Sequence, residues 1–339
     1  MTSFHEEVTL NLSIKITKFA SVMKGEATVV KNAGSHYLLS CLPEWKLFPA
    51  VLRGKTRLKG GSSTNPVAVG DVVDWEWTSP SETGPDVLNP AIIKEVHERR
   101  NYLIRRSTNL SRQAHVIAAN IDQAFIIVSL YFPEIKLPFL DRILVTCEVY
   151  KIPVTVVLNK VDMYRDYAPD EIETFRRIYE SAGYQVVETS ARTGEGIDVL
   201  RNAAAGKVCL FSGESGVGKS SIIKAMDPSL DPKVGRISEA HLQGRHTTSL
   251  YEMYRTEGGA FLIDSPGLRG FGLLDLEKEE IALYFPEMLE ASRECRFTPC
   301  THTHEPGCAV KAAVEAGTIS AERYYSYLGM LEDDGKFRQ

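Results

Sequence analysis

The sequence predicts a multi-domain chain: an N-terminal all-β barrel, a central α/β region on a parallel sheet, and a mostly helical C-terminal region clamped by metal ligands. Three observations predict it. Five short β-type runs punctuated by turn residues fill about 23–103. Apolar strands alternating with helical stretches fill 123–264, the pattern of a parallel sheet. From about Leu276 onward only helical patterns remain, around three cysteines and two histidines packed into fourteen residues. With 339 residues, at roughly 150 per domain, the chain has room for about two or three cores. The expected division is an extension at 1–22, a barrel at 23–106, an α/β domain at 107–275 and a helical domain at 276–339.

A composition of 43% hydrophobic and 24% charged residues excludes a mainly disordered chain. The longest apolar stretches, at 124–130 and 152–158, fall short of the roughly 18 residues a membrane-spanning helix needs, so no membrane is expected. Glu6 and Glu7 stand where a secretory leader would carry positive charge, which points to a reducing cytoplasm. Cys41, Cys147 and Cys209 are scattered among apolar residues and read as core thiols.

In the barrel the runs are EATVV, HYLLSCL, FPAVLRG, DVVDWEW and AIIKEV, separated by Asn32-Ala33-Gly34, Gly60-Gly61, Gly70 and Gly84-Pro85. Residues 1–112 hold 15 Lys and Arg against 11 Asp and Glu, a net +4 in a chain of net -5. Arg53, Lys55, Arg57 and Lys59 alternate, and the period of two in an extended strand sets all four on one face. Such a stripe is a solvated strand face or a surface that holds RNA. Arg99, Arg100, Arg105 and Arg106 add a second basic cluster.

The central strands are QAFIIVSL, PVTVVLN, QVVETS, KVCLFS and AFLID. One helix between them starts near Pro169, carries Ile172, Phe175, Ile178 and Tyr179 as its apolar stripe and ends at Gly183. Gly213-Glu214-Ser215-Gly216-Val217-Gly218-Lys219-Ser220 follows the strand KVCLFS, precedes a helical stretch and fits GxxxxGKS, a P-loop in its required setting. Its backbone N–H groups point at phosphate, Lys219 neutralises the β- and γ-phosphates, Ser220 ligates Mg²⁺, and the adjoining Ser221 lies within reach of the same phosphates.

Asp264-Ser265-Pro266-Gly267 fits DxxG: Asp264 sits at a strand end to hold Mg²⁺ through water, and the Gly267 N–H senses the γ-phosphate. Asn159-Lys160-Val161-Asp162 fits NKxD. The Asp162 carboxylate accepts from the ring N–H and the exocyclic amine of guanine, where adenine would present an acceptor. Asn159 bonds the base and braces the P-loop, and the Lys160 stem covers the base. Ser190 and Ala191, after Thr189, supply the remaining guanine contact through backbone N–H.

NKxD and Ser-Ala precede the P-loop here, the reverse of the ordinary order. All these loops gather at one sheet edge, so joining the old termini and cutting elsewhere preserves the site. On these motifs the chain resembles the circularly permuted GTPases known as ribosome small-subunit-dependent GTPase A, over nearly its whole length. The resemblance implies an OB-fold RNA-binding barrel, a permuted P-loop GTPase domain, GTP/GDP with Mg²⁺, and a partner in the small ribosomal subunit and its rRNA.

Cys295-x4-Cys300-x-His302-x5-Cys308 independently offers three thiolates and an imidazole, a closed tetrahedral set for one structural Zn²⁺ that would staple a region with little apolar core. His304 is the rival imidazole and reads as a solvated loop residue. After Gly267 stands Leu268, which cannot orient a water as glutamine does. The segment 244–248 lies where switch I belongs. There Thr248 is expected to complete the Mg²⁺ shell and His246 is the candidate for orienting water, with RNA contact or packing its alternative. Unassisted turnover on the order of 10⁻⁴ to 10⁻² s⁻¹ follows from a site without glutamine.

The resulting expectation is a monomeric cytoplasmic GTPase that joins the small subunit late in its maturation and leaves on hydrolysis. The alternatives are an rRNA-binding assembly protein that holds GTP without turning it over, and a P-loop enzyme of small-molecule phosphorylation, which NKxD disfavours.

Overall fold

A computed structural model describes residues 21–53, 66–79, 84–106, 114–230, 252–264 and 276–332. Strands β1 (Ser21–Ala33), β2 (His36–Cys41), β3 (Lys46–Leu52), β4 (Val72–Ser79) and β5 (Ala91–Val96) fall on the five expected runs. They hydrogen-bond in the order β1-β2-β3-β5-β4, and β4 returns to β1, so the barrel closes and leaves no free edge. Alternation fills it: Val73, Trp75 and Trp77 point into the barrel core while Asp74 and Glu76 face outward. Cys41 corrects one expectation, since it is only half-buried at the margin of that core, whereas Cys147 and Cys209 are buried.

Beyond the barrel, β6 (Tyr102–Arg106) and β7 (Ala114–Ala119) form a hairpin with its own two-stranded sheet. The central sheet runs β10-β9-β8-β11-β13-β12, with β8 (Gln123–Val128), β9 (Val154–Leu158), β10 (Gln185–Glu188), β11 (Val208–Gly213) and β13 (Phe261–Asp264) parallel. Strand β12 (Glu252–Arg255) runs antiparallel to β13. After Gln123, strand β8 is an unbroken apolar run because helices cover both faces of the sheet. On one face lie α1 (Leu137–Val149) and α2 (Pro169–Ser181); on the other lie α3 (Ile197–Ala204) and α4 (Lys219–Met226). The buried residues of α2 are Ile172, Phe175, Ile178 and Tyr179, the stripe read from the sequence.

The barrel and the central sheet are continuous. Lys31 of β1 pairs with Glu252 of β12 across the ladder, and their side chains form an ion pair at 2.9 Å. Arg99 grips the buried Asp71 through two nitrogens at 2.7 and 2.8 Å, and Asn101 bonds both the N–H and the C=O of Ile121.

The C-terminal region holds a 3-10 segment (Lys278–Tyr284), α5 (Pro286–Ser292), α6 (Ala309–Glu315) and α7 (Ala321–Glu332). The expectation of little apolar core is corrected: Ile281, Phe285, Met288, Val310, Ile319, Tyr327 and Met330 pack together with Val145 of α1. Helix α1 is thus buried on two sides, its Leu140, Ile143, Leu144 and Cys147 meeting the sheet while Val145 meets the C-terminal helices.

Candidate nucleotide and metal sites

The P-loop connects β11 to α4, and the residues that let it curl are Gly216 and Gly218, with φ of +91° and +96°. Gly218 is required twice over, because a Cβ there would lie 2.3 Å from Asn159 Nδ2 in addition to the left-handed strain. At Gly213 a Cβ would meet the Ile127 carbonyl at 2.4 Å. The loop leaves Glu214 half-buried and Ser215 and Gly216 exposed, Val217 and Lys219 buried, Ser220 half-buried and Ser221 exposed on the first turn of α4. This curl, ending at the N-terminus of α4, is a cradle shaped for phosphate.

Asn159 is the side chain around which the site is built. Buried at the end of β9, it donates from Nδ2 to the Val217 carbonyl at 2.8 Å; its Oδ1 accepts from Thr189 Oγ1 at 3.2 Å and the Ala191 N–H at 3.3 Å. The P-loop, NKxD and Ser-Ala segments therefore meet on one amide, although 58 and 32 residues separate Asn159 from Val217 and Ala191. The brace expected of Asn159 is present, and the Ala191 N–H, expected to face guanine, here serves Asn159. Val161 N–H adds a bond to the Thr189 carbonyl at 3.2 Å.

Lys160, left-handed at φ +67°, turns its ammonium to the carbonyls of Gly216, at 2.7 Å, and Phe132. Burial lowers its pKa. Beside it, burial opposes ionisation of Asp162, but hydrogen bonds from the Ser190 hydroxyl and from Arg192 outweigh burial and hold the carboxyl below its ordinary value. Arg192 was not singled out in the sequence; its signal was a cation one position after Ser190-Ala191. Asp264 ends β13 in parallel register with Phe211 of β11, which sets its backbone next to the strand that feeds the P-loop. Gly267, Thr248 and His246 lie outside the described residues, as do Lys55, Arg57 and Lys59; Arg53 is exposed just past β3.

Asn159→Ala is expected to weaken GDP binding by about 5- to 150-fold, the equivalent of about 1–3 kcal/mol for stranding buried polar partners. A fluorescent-GDP titration of parent and variant measures it, and equal affinities would show that the three loops hold themselves.

At the C-terminal end, Cys295 Sγ, Cys300 Sγ, His302 Nδ1 and Cys308 Sγ all lie within 4.8 Å of one another. Cys295 Sγ is 3.7 Å from His302 Nδ1 and 4.0 Å from Cys308 Sγ, and His302 Nδ1 is 3.4 Å from Cys308 Sγ. Metal bonds of about 2.3 Å to sulfur and 2.0–2.1 Å to nitrogen set ligands about 3.5–3.8 Å apart on a tetrahedron, so the donor set fits Zn²⁺. A disulfide, at about 2.05 Å, does not describe it. Tyr324 and Tyr327 of α7 donate to the carbonyls of His302 and Thr301, each at 2.6 Å, and fix the ligand loop from behind. Burial lowers the pKa of His302, which favours the neutral imidazole a metal needs. His304 is exposed, bonded through Nδ1 to Thr303, and outside the cluster.

The model of the RsgA GTPase family matches residues 96–274. A protein of Bacteroides fragilis named small ribosomal subunit biogenesis GTPase RsgA is 45% identical over 321 residues, 93% of this chain and 99% of its own length. One of the same name from Porphyromonas gingivalis is 44% identical over 92% of this chain and 98% of its own. The crystal structure of YjeQ from Thermotoga maritima superposes with a TM-score of 0.73 at 31% identity, covering 92% of this chain and 98% of that one. That of YloQ, a circularly permuted GTPase, gives 0.70 at 26% identity, covering 92% and 95%. With the motif order, the closed barrel and the permuted sheet already on hand, these matches show that the chain belongs to the RsgA GTPase family.

Proposed function

We propose that this chain hydrolyses GTP to GDP and phosphate and serves the biogenesis of the small ribosomal subunit, acting late in its maturation and leaving on hydrolysis. The observation that carries the reading is Asn159, whose amide joins the phosphate loop to both guanine-reading loops in permuted order. In this reading Asp162 reads the guanine edge, Asn159, Lys160, Val161, Ser190 and Ala191 complete the base site, and Gly213 to Ser221 hold the phosphates.

Bound Mg²⁺ would offset the phosphate charge; Ser220 and Asp264, with Thr248, are the residues proposed to hold it, and Gly267 to sense the γ-phosphate. Lys219 supplies a fixed positive charge on the phosphates, and His246 is proposed to orient the water. The fit of Cys295, Cys300, His302 and Cys308 supports one structural Zn²⁺. The boundaries 1–22, 23–106, 107–275 and 276–339 remain our proposed division, with Arg53, Lys55, Arg57 and Lys59 facing rRNA and the protein acting as a monomer in the cytoplasm.

Phosphate release from GTP and ATP, with and without Mg²⁺ and purified small subunits, tests the whole. Slow turnover confined to GTP and Mg²⁺ is expected, rising manyfold with the subunit; unstimulated turnover would detach the chemistry from the ribosome. His246→Ala is expected to abolish most of the stimulated rate, and an unchanged rate would remove His246 from the mechanism.

A further inference from the structure

Arg192 holds the Asp162 carboxylate through two nitrogens on one oxygen: Nε donates to Oδ2 at 2.7 Å and Nη2 lies 2.5 Å from the same atom. Asp162 is 10% exposed, whereas Arg192 is 75% exposed, so the arginine reaches in from solvent to a carboxylate seated in the site. The loop that carries it is tied down on both sides. Ser190 N–H bonds the Glu195 carbonyl at 3.0 Å, Gly194 N–H bonds the Ser190 carbonyl at 2.9 Å, and Thr193 N–H bonds Ser190 Oγ at 3.1 Å. The neighbouring acids are engaged elsewhere, because Arg165 pairs with both Glu188, at 2.8 Å, and Glu195, at 2.7 Å. Lys160 points away to the carbonyls of Gly216 and Phe132.

The chemistry of the contact is informative. The edge of guanine that a carboxylate reads, a ring N–H beside an exocyclic amine on one carbon, is itself a guanidine fragment. A guanidinium presents the same adjacent pair of donors, with a full charge added. Two donors on Oδ2 fill the acceptor capacity of that oxygen, and a carboxylate receiving guanine needs both oxygens, one for each donor. Arg192 and guanine therefore compete for Asp162.

We propose that Arg192 is an internal guanine surrogate, a latch that competes for the base-reading carboxylate and must swing out before a guanine nucleotide seats. This rests on the reading of Asp162 as the guanine-specific group. Every entering base meets the latch, but only one with two adjacent donors replaces what Arg192 gives up. It also keeps Asp162 ionised, so the carboxylate stays ready for guanine.

The test is stopped-flow and equilibrium binding of fluorescent GDP and ADP to the full-length parent, Arg192→Ala and Arg192→Lys. The Arg192→Ala variant is expected to bind GDP about two- to fivefold tighter at low salt, which is the worth of an exposed charge pair, mainly through a faster on-rate. Its advantage shrinks as salt screens the parent's latch. Arg192→Lys, which keeps the charge but lacks the two-nitrogen edge, is expected to fall between them. Equal or weaker GDP binding by Arg192→Ala, with GDP still preferred to ADP, overturns the latch alone. Loss of the preference for GDP in the parent overturns the guanine reading of Asp162 and the latch with it.

Discussion

Arg323→Ala is expected to cost about 3–5 kcal/mol of stability, because it strands two buried carboxylates. The guanidinium, 1% exposed, donates to Asp141 Oδ1 at 2.8 Å and to both oxygens of Glu287 at 2.7 and 3.0 Å. Its plane is packed among the rings of Phe285, Tyr184 and Tyr179, with centroids 4.7, 5.4 and 5.8 Å away. Burial opposes the arginine's charge, but the two carboxylates outweigh burial and raise its pKa above the ordinary value. Burial raises the pKa of Asp141 against the pull of Arg323, so removal of the arginine would push that carboxyl further toward its neutral form.

Asp141 belongs to α1, Glu287 to α5 and Arg323 to α7, so a single side chain clamps the C-terminal region to the GTPase domain. At about 2–4 °C per kcal/mol for a domain of this class, a thermal melt of Arg323→Ala is expected to shift down by about 10 °C. Arg323→Lys keeps the charge without the fork and should recover only part of the loss. Arg323→Met together with Asp141→Asn and Glu287→Gln removes the stranded charges and should recover more. Hydrogen exchange should accelerate in α5 and α7 while the barrel strands keep their protection. A melt of Arg323→Ala within about 2 °C of the parent would show that the clamp is redundant with the apolar core around Phe285 and Met288.

The same residues show what the sequence could and could not disclose. The P-loop, NKxD and Ser-Ala motifs were legible because each closes an apolar run, and β8, β9 and β11 are strands buried through their middles, whose largely apolar composition is the consequence of helices on both faces. The five barrel strands were legible through their turn punctuation. By contrast, β12 has four residues, EMYR, and owes its existence to neighbours on both sides, β13 and β1, the second of them more than two hundred residues away. The β6–β7 hairpin begins with YLIRR, whose charges mask any alternation. Arg323 stands in a helix where an arginine ordinarily faces water, and its partner Asp141 lies 182 residues upstream, so nothing local announced a buried ion cluster. Arg192 was missed for the same reason, since its meaning depends on Asp162, thirty residues away. Periodicity reports which face a residue shows to a neighbour in its own element; these four cases are decided by neighbours from other elements.

Cys308→Ala is expected to abolish binding at the proposed zinc site, since three remaining donors no longer close the tetrahedron. The cysteine has a second task, because its Sγ also accepts the Lys311 N–H at 3.5 Å and caps α6, so the first turn of that helix should fray as well. How far the damage spreads depends on what else holds the region. Zinc binding in small finger peptides is worth about 10–16 kcal/mol and is the whole of their folding. Here Phe285, Met288, Val310, Ile319, Tyr327 and Met330 form an apolar core docked on α1, and Arg323 adds its clamp, so much of the module is expected to stand without a metal. The effect of the variant should therefore be local. Residues 295–308 should lose their exchange protection and Tyr324 and Tyr327 their carbonyl partners, while α7 stays docked and GDP binding is unchanged. Zinc content by elemental analysis should fall from one per chain to none, and hydrogen exchange should map the opening. Retention of one zinc in the variant would assign the metal to other ligands, and collapse of α7 along with the loop would mean that the metal, rather than the apolar core and Arg323, holds the C-terminal region to the GTPase domain.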